Sequence, residues 1–120
     1  MATYTKFHAF VEALAEKKHN LGSDTLTVAL CAAANAPSQS DDSVLADLTQ
    51  VSYTYCSSRA LTISSSAQTT GTYKLVIADL TLTATGGAVG PFRYAVIFND
   101  TATNDELICF FDYGAEITLN

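Results

Sequence analysis

The chain has 120 residues, 48% hydrophobic and 15% charged, with a net charge of −6. This composition fits one folded domain with its own core and excludes a disordered chain. Twelve acidic residues against six basic ones repel phosphates, which excludes direct nucleic-acid binding as the main task.

The N-terminal stretch MATYTKFHAFVEALAEKKHN predicts a helix over about residues 4–20. Phe7, Phe10, Val11 and Leu14 fall on one apolar stripe, and Thr3 or Thr5 caps its start. Lys17, Lys18 and His19 occupy the last turn, where cations suit the helix dipole. Asn20 or Gly22 is expected to take the left-handed conformation that ends it. The stretch has no basic leader and no continuous apolar run, so it is not read as a signal peptide. Synthesis in a cytoplasm is expected. No stretch reaches the length of a membrane span.

From about residue 24 to 120 the pattern is that of strands. In TLTVALCA, Leu26, Val28 and Leu30 alternate with smaller residues. NAPSQSDD is a loop, and SVLADLTQV is either irregular or a helical turn after Asp41 and Asp42. RALTISSSAQ alternates around Leu61 and Ile63. TTGTYKLVIADLTLTATGG reads as a long strand whose apolar phase switches from Tyr73, Leu75 and Ile77 to Leu80 and Leu82. That switch predicts a bulge near Ala78–Asp79. TGGAVGP is a turn. FRYAVIFN and ELICFFDY form a hairpin around DTATND, and EITLN is a last short strand. The expected fold is therefore mainly β, a β-sandwich or jelly-roll-like single domain over residues 1–120 with one N-terminal α-helix.

The hairpin strands are apolar on both sides. Tyr94, Val96 and Phe98 face one way, Ala95 and Ile97 the other. Continuous apolar runs mark strands covered on both faces. The helix or a neighbouring subunit is the expected cover, and composition does not separate the two.

No constellation spells out a reaction. A triad needs a histidine oriented by a carboxylate. His8 and His19 lie eleven residues apart, about three turns, so they share roughly one side of the expected helix, and His19 reads more simply as a C-terminal cation. There is no GxSxG. GGAVG, Gly86–Gly90, is followed by Pro91 and a strand rather than by a helix N-terminus, so it is a turn and not a phosphate loop. Asp100, Asp105 and Glu106 near Asn99 and Asn104 lack the EF-hand spacing and read as a solvated loop, with a weak cation site as the alternative. Cys31, Cys56 and Cys109 are far apart with no CxxC, and read as small buried hydrophobes. Neither a metal nor a cofactor is expected, and the chain reads as a non-enzyme.

The opening YTKFHAFVEALAEKKHNLGSDTLTVAL and the block from SSSAQTTGTYKLVIADL to the end resemble a family of small virion structural proteins of tailed bacteriophages. The most specific part is TATGGAVGPFRYAVIFND followed by FFDYG, and the likeness runs over nearly the whole chain. It implies a capsid decoration (cement) protein on the capsid exterior, bound to the major capsid protein and assembled as a homotrimer, with no membrane. Two departures stand out. YTYCSS, Tyr53–Ser58, replaces a Gly-rich turn. The strands that usually follow ITLN do not follow Asn120, either because the sequence ends early or because this member lacks them, so an edge near Glu116–Leu119 is expected to need a partner. The resemblance makes Phe92, Tyr94, Val96, Phe98, Phe110, Phe111 and Tyr113 the candidate subunit or capsid contacts. The rival readings are a tail or fibre adaptor and, more distantly, a carbohydrate-binding module.

Overall fold

A computed structural model describes residues 2–120. It is mainly β, with one α-helix and two antiparallel sheets. In chain order the elements are β1 (Thr3–Lys6), α1 (His8–Ala15), β2 (Leu26–Cys31), β3 (Ile63–Thr69), β4 (Thr72–Ile77), β5 (Val89–Asn99) and β6 (Leu107–Leu119). The larger sheet has the order β1-β6-β5-β2, and β3 and β4 form a hairpin of their own.

The apolar runs at the C-terminus place β5 and β6 side by side in the middle of the larger sheet. Val96 lies opposite Phe110 and Ile97 opposite Cys109. The outer edge of β2 and the β6 edge opposite β5 are each closed along part of their length. On β2, the Val51 amide donates to the Leu30 carbonyl (2.9 Å), the Val28 amide to Arg59 (3.0 Å) and the Leu61 amide to Leu26 (2.8 Å). On β6, the Leu107 amide donates to Ser43 (3.0 Å), Phe7 donates to Ile108 (3.1 Å), and β1 pairs with Cys109–Asp112.

Both faces of the sheet are covered by the chain itself. One face presents Ala29, Cys31, Tyr94, Val96, Phe98 and Phe110, packed under Phe7, Phe10, Leu45 and Leu48. The other presents Val28, Leu30 and Ala95 beneath Val51, Tyr53, Leu61, Leu80 and Leu82. Farther along that second face, Ile63, Leu75 and Ile77 of the β3–β4 hairpin pack against a cluster built on Leu26 and Cys109. Between Phe92 and Tyr94 the register shifts by three residues of β6, and Phe92 lies with the second-face cluster while Tyr94 lies with the first.

Several expectations are revised. The helix expected over about 4–20 is α1 alone, and Thr3–Lys6 form a strand, since the edge of β6 offers pairing that an isolated first turn cannot match. Of the expected stripe, Phe7 is fully buried and Phe10 half-buried, whereas Val11 is 55% and Leu14 44% exposed. Lys17, not Asn20 or Gly22, takes the left-handed conformation (φ 66°). The Lys18 amide reaches back to the Ala13 carbonyl (2.9 Å) and the Lys17 amide to Leu14 (3.4 Å), the paired bonds of a Schellman ending.

The long strand with a bulge near Ala78–Asp79 is instead β4 followed by a crossing that belongs to neither sheet and makes one isolated bridge, Ala84 with Cys56. Ladder pairing stops at Ile77, and Leu80, Leu82 and Ala84 then lie over the larger sheet. Where no ladder continues, the apolar phase changes without a bulge. EITLN is not a separate strand but the end of β6. The ambiguous SVLADLTQV contains a short 3-10 turn, Leu45–Asp47. The turn glycine Gly86 has φ 87°. Gly90, at φ 108°, has room for no side chain, because a Cβ there would lie 2.8 Å from the Ile117 carbonyl oxygen.

Two substitutions test this account. Phe7→Ala should lower stability by about 3–5 kcal/mol in urea unfolding, whereas Val11→Ala, at an exposed position, should change it by less than about 0.5 kcal/mol. Lys17→Gly should raise stability by about 1 kcal/mol, by relieving a left-handed residue that carries a Cβ.

Candidate functional site

The seven residues expected to make contacts divide between core and surface. Phe92, Tyr94, Val96, Phe98 and Phe110 are buried within the chain's own core, Phe111 is half-buried, and Tyr113 is 41% exposed. The two-sided strands are thus covered internally, and the five buried side chains are not a free surface. Phe92, Phe111 and Tyr113 do converge, toward the end of the sheet where β5 and β6 run on past β1 and β2.

There a groove of about 350 Å³ opens between the larger sheet and the Leu80–Leu82 crossing. Its walls include Leu30, Leu61, Leu82, Phe92, Phe111, Ile117 and Leu119, with Tyr113 as the one hydroxyl-bearing side chain. Ile117 is 37% exposed. The adjacent stretch of β6 from Tyr113 to Leu119 pairs with β5 on one side, and among the described residues no strand pairs with it on the other. Arg93 anchors the base of this extension through a two-pronged ion pair with Asp112 (2.8 and 3.2 Å). The guanidinium hydrogen bonds hold the Asp112 carboxyl below its ordinary range. On the far side the Glu116 carboxylate accepts from the Ala33 amide (3.1 Å).

A second, polar recess of about 1050 Å³ lies at the opposite end of β5 and β6, between the loop after α1, the β5–β6 turn and Tyr73 of β4. Its floor is a buried polar cluster. Asn99 is fully buried, and His19 and Glu106 are each 7% exposed. Asn99 Oδ1 accepts from the amides of Thr101 (3.0 Å) and Ala102 (3.1 Å). Asn99 Nδ2 donates to Asp24 Oδ2 (2.7 Å) and stands 3.0 Å from His19 Nδ1. Glu106 Oε1 accepts from the Asn104 amide (3.0 Å). The His19 ring packs on Phe10 with centroids 5.2 Å apart. Burial lowers the His19 pKa, opposed by the charges of Glu106 and Asp24.

The expected role of His19 as an exposed cation at a helix end is therefore overturned. The helix ends at Ala15, and the imidazole is folded inward and favours its neutral form. His8 stays exposed on α1, so the two histidines do not share a site. Three of the side chains expected to offer oxygens to a cation are engaged elsewhere. Those of Asn99 and Glu106 accept turn amides, and Asp100 Oδ2 accepts from Thr27 (3.2 Å). Among the described residues no three His, Cys, Asp or Glu side chains converge as a metal-binding set. The sequence carried no signal for the cluster, because its members lie 75 to 80 residues apart.

Cys31 and Cys109 are buried within the sheet, and burial pushes their thiols up to about 11 and about 12. Cys56 is half-buried and lies outside the named strands, bridged to Ala84. No helix among the described residues is long and apolar enough to cross a membrane.

No family model matches the chain, and no curated protein and no solved structure is significantly similar to it.

The burial pattern predicts thiol reactivity. Under native conditions an alkylating reagent read out by peptide mass spectrometry should modify Cys56 at least about tenfold faster than Cys31 or Cys109.

Proposed function

We propose that this chain is a non-enzymatic structural protein of a tailed-phage virion. In this reading it is a capsid decoration protein that binds the exterior of the major capsid protein lattice as a homotrimer. The reading begins from the resemblance carried by TATGGAVGPFRYAVIFND and FFDYG. The single structural observation in its support is the solvent-open apolar groove beside the unflanked end of β6. A protein that binds only the assembled lattice adds its binding free energy to the stability of the shell. That work requires shape, apolar contact and many copies, and no reacting group. A β-sandwich, with the β3–β4 hairpin as the partial second layer, supplies a rigid body for such contacts.

The contact surface proposed is smaller than the seven aromatic and apolar positions first considered. It comprises Tyr113, Ile117 and the groove they border, with the exposed Val11 and Leu14 of α1 as a second apolar patch. Apolar anchors that seat in pockets carry most of the energy of an interface.

Cryo-electron microscopy of intact particles tests the assignment. Density for this chain repeating over the shell at threefold positions is the expected result. Density confined to the tail or to one vertex would move the chain to the adaptor class, and absence from particles would remove the virion reading. Given shell density, Ile117→Lys should weaken attachment by about tenfold or more, about 1.4 kcal/mol, with folding intact because Ile117 lies at the surface.

A further inference from the structure

Hydrogen-bond logic determines the protonation state of His19. Asn99 has two amide hydrogens and two acceptor sites on Oδ1, and all four are engaged by Asp24, His19, Thr101 and Ala102. Flipping the amide would set Oδ1 against the Asp24 carboxylate and the NH2 group against two backbone N–H donors. The orientation is thereby fixed, and the amide nitrogen donates to His19. His19 Nδ1 must accept, so in the neutral ring the proton sits on Nε2. Nε2 is buried and has no hydrogen-bond partner.

The cluster accommodates imidazole and rejects imidazolium. A second ring proton would lie on Nδ1 and point at the Asn99 NH2 group, donor against donor. Protonation therefore requires the His19–Asn99 contact to break. Once free, the cation has acceptors at hand, since Asp24 and Glu106 are the carboxylates that act on the ring. The other charged or titratable groups around the recess are Glu16, Lys17 and Lys18 after α1 and Tyr73 on β4. An imidazolium that takes Asp24 removes both acceptors of the Asn99 amide nitrogen at once. Asn99 is one of the ties between the β5–β6 turn and the loop ahead of β2. The others are the Thr25 amide on Thr101 Oγ1 (2.9 Å) and the Asp100 amide on the Thr25 carbonyl (2.9 Å), neither of which involves His19.

We propose that His19 and Asn99 form an acid-sensitive latch. Closed at neutral pH, it joins the loop after α1 to the β5–β6 turn. Protonation of His19 opens it and releases Asn99 and the turn amides it holds, while the Thr25 bonds to Asp100 and Thr101 keep the two loops adjacent. The inference concerns this chain alone and stands whether or not the protein sits on a virion.

The sign follows from linkage. A group whose pKa is lower in the closed state binds its proton preferentially in the open one, so closure weakens as pH falls below the ordinary histidine value of about 6.5. Coupling to one proton makes the open fraction rise about tenfold per pH unit within that window.

The test uses the full chain labelled with 15N. At neutral pH the ring resonances of His19 should show Nε2 protonated and Nδ1 bare. Amide exchange at Thr101 and Ala102, corrected for its intrinsic pH dependence, should speed up about tenfold per pH unit on acidification. His19→Gln, whose carbonyl can still accept from Asn99, should abolish that rise, and His8→Gln should retain it. A proton on Nδ1 at neutral pH would overturn the proposal, as would an unchanged exchange response in His19→Gln. If His19→Gln does not fold, the ring resonances of the native protein decide the question alone.

Discussion

The antiparallel pairing of β5 with β6 is the constraint on which the rest of this protein depends. Two long apolar strands placed together present large hydrophobic surfaces on both sides of one sheet. At roughly 25 cal/mol per Å² of apolar area, neither face can be left in water without a cost that exceeds the stability of a small domain. The remaining elements serve to cover them. Phe7, Phe10 and the Leu45–Leu48 stretch lie over one face, and the long excursion from Val51 to Ala84 lies over the other. The return of that excursion along β2 also satisfies strand-edge amides and carbonyls that would otherwise be open to a second chain.

The same pair determines where the two recesses lie. At one end it outruns both flanking strands, and with no strand among the described residues flanking β6 beyond Asp112 it leaves the apolar groove open. At the other end it must turn, and the turn is closed by an asparagine that has no access to water. A buried amide needs every partner satisfied, and the partners it finds are a carboxylate and a histidine from the loop ahead of β2. An open apolar groove and a buried polar cluster thus occupy opposite ends of one ribbon.

What was readable in advance follows the range of the interactions. The β5–β6 hairpin, β2 and the β3–β4 region were visible because period-2 alternation and turn residues are local signals. Where long-range packing overrode local preference, the reading failed. Thr3–Lys6 carry a weak helical pattern, but the edge of β6 recruits them as a strand. The Leu80–Leu82 phase change looked like a bulge because a sequence does not reveal where ladder pairing stops. Five of the seven expected contact residues proved to be core, because two-sided apolar strands look the same whether a neighbour or the chain's own loops cover them.

Composition and periodicity alone determined that this chain is rich in β-strands, has a short helix near its start, and centres on a C-terminal hairpin too apolar to stand uncovered. Those properties depend on residues close together in sequence. Only the tertiary structure decided that the cover is internal, that Phe111, Tyr113 and Ile117 meet at a groove, and that His19 is held beside Asn99. Each of these depends on segments brought together by burial across tens of residues, where the free energy lies in the contact between segments and in neither segment by itself.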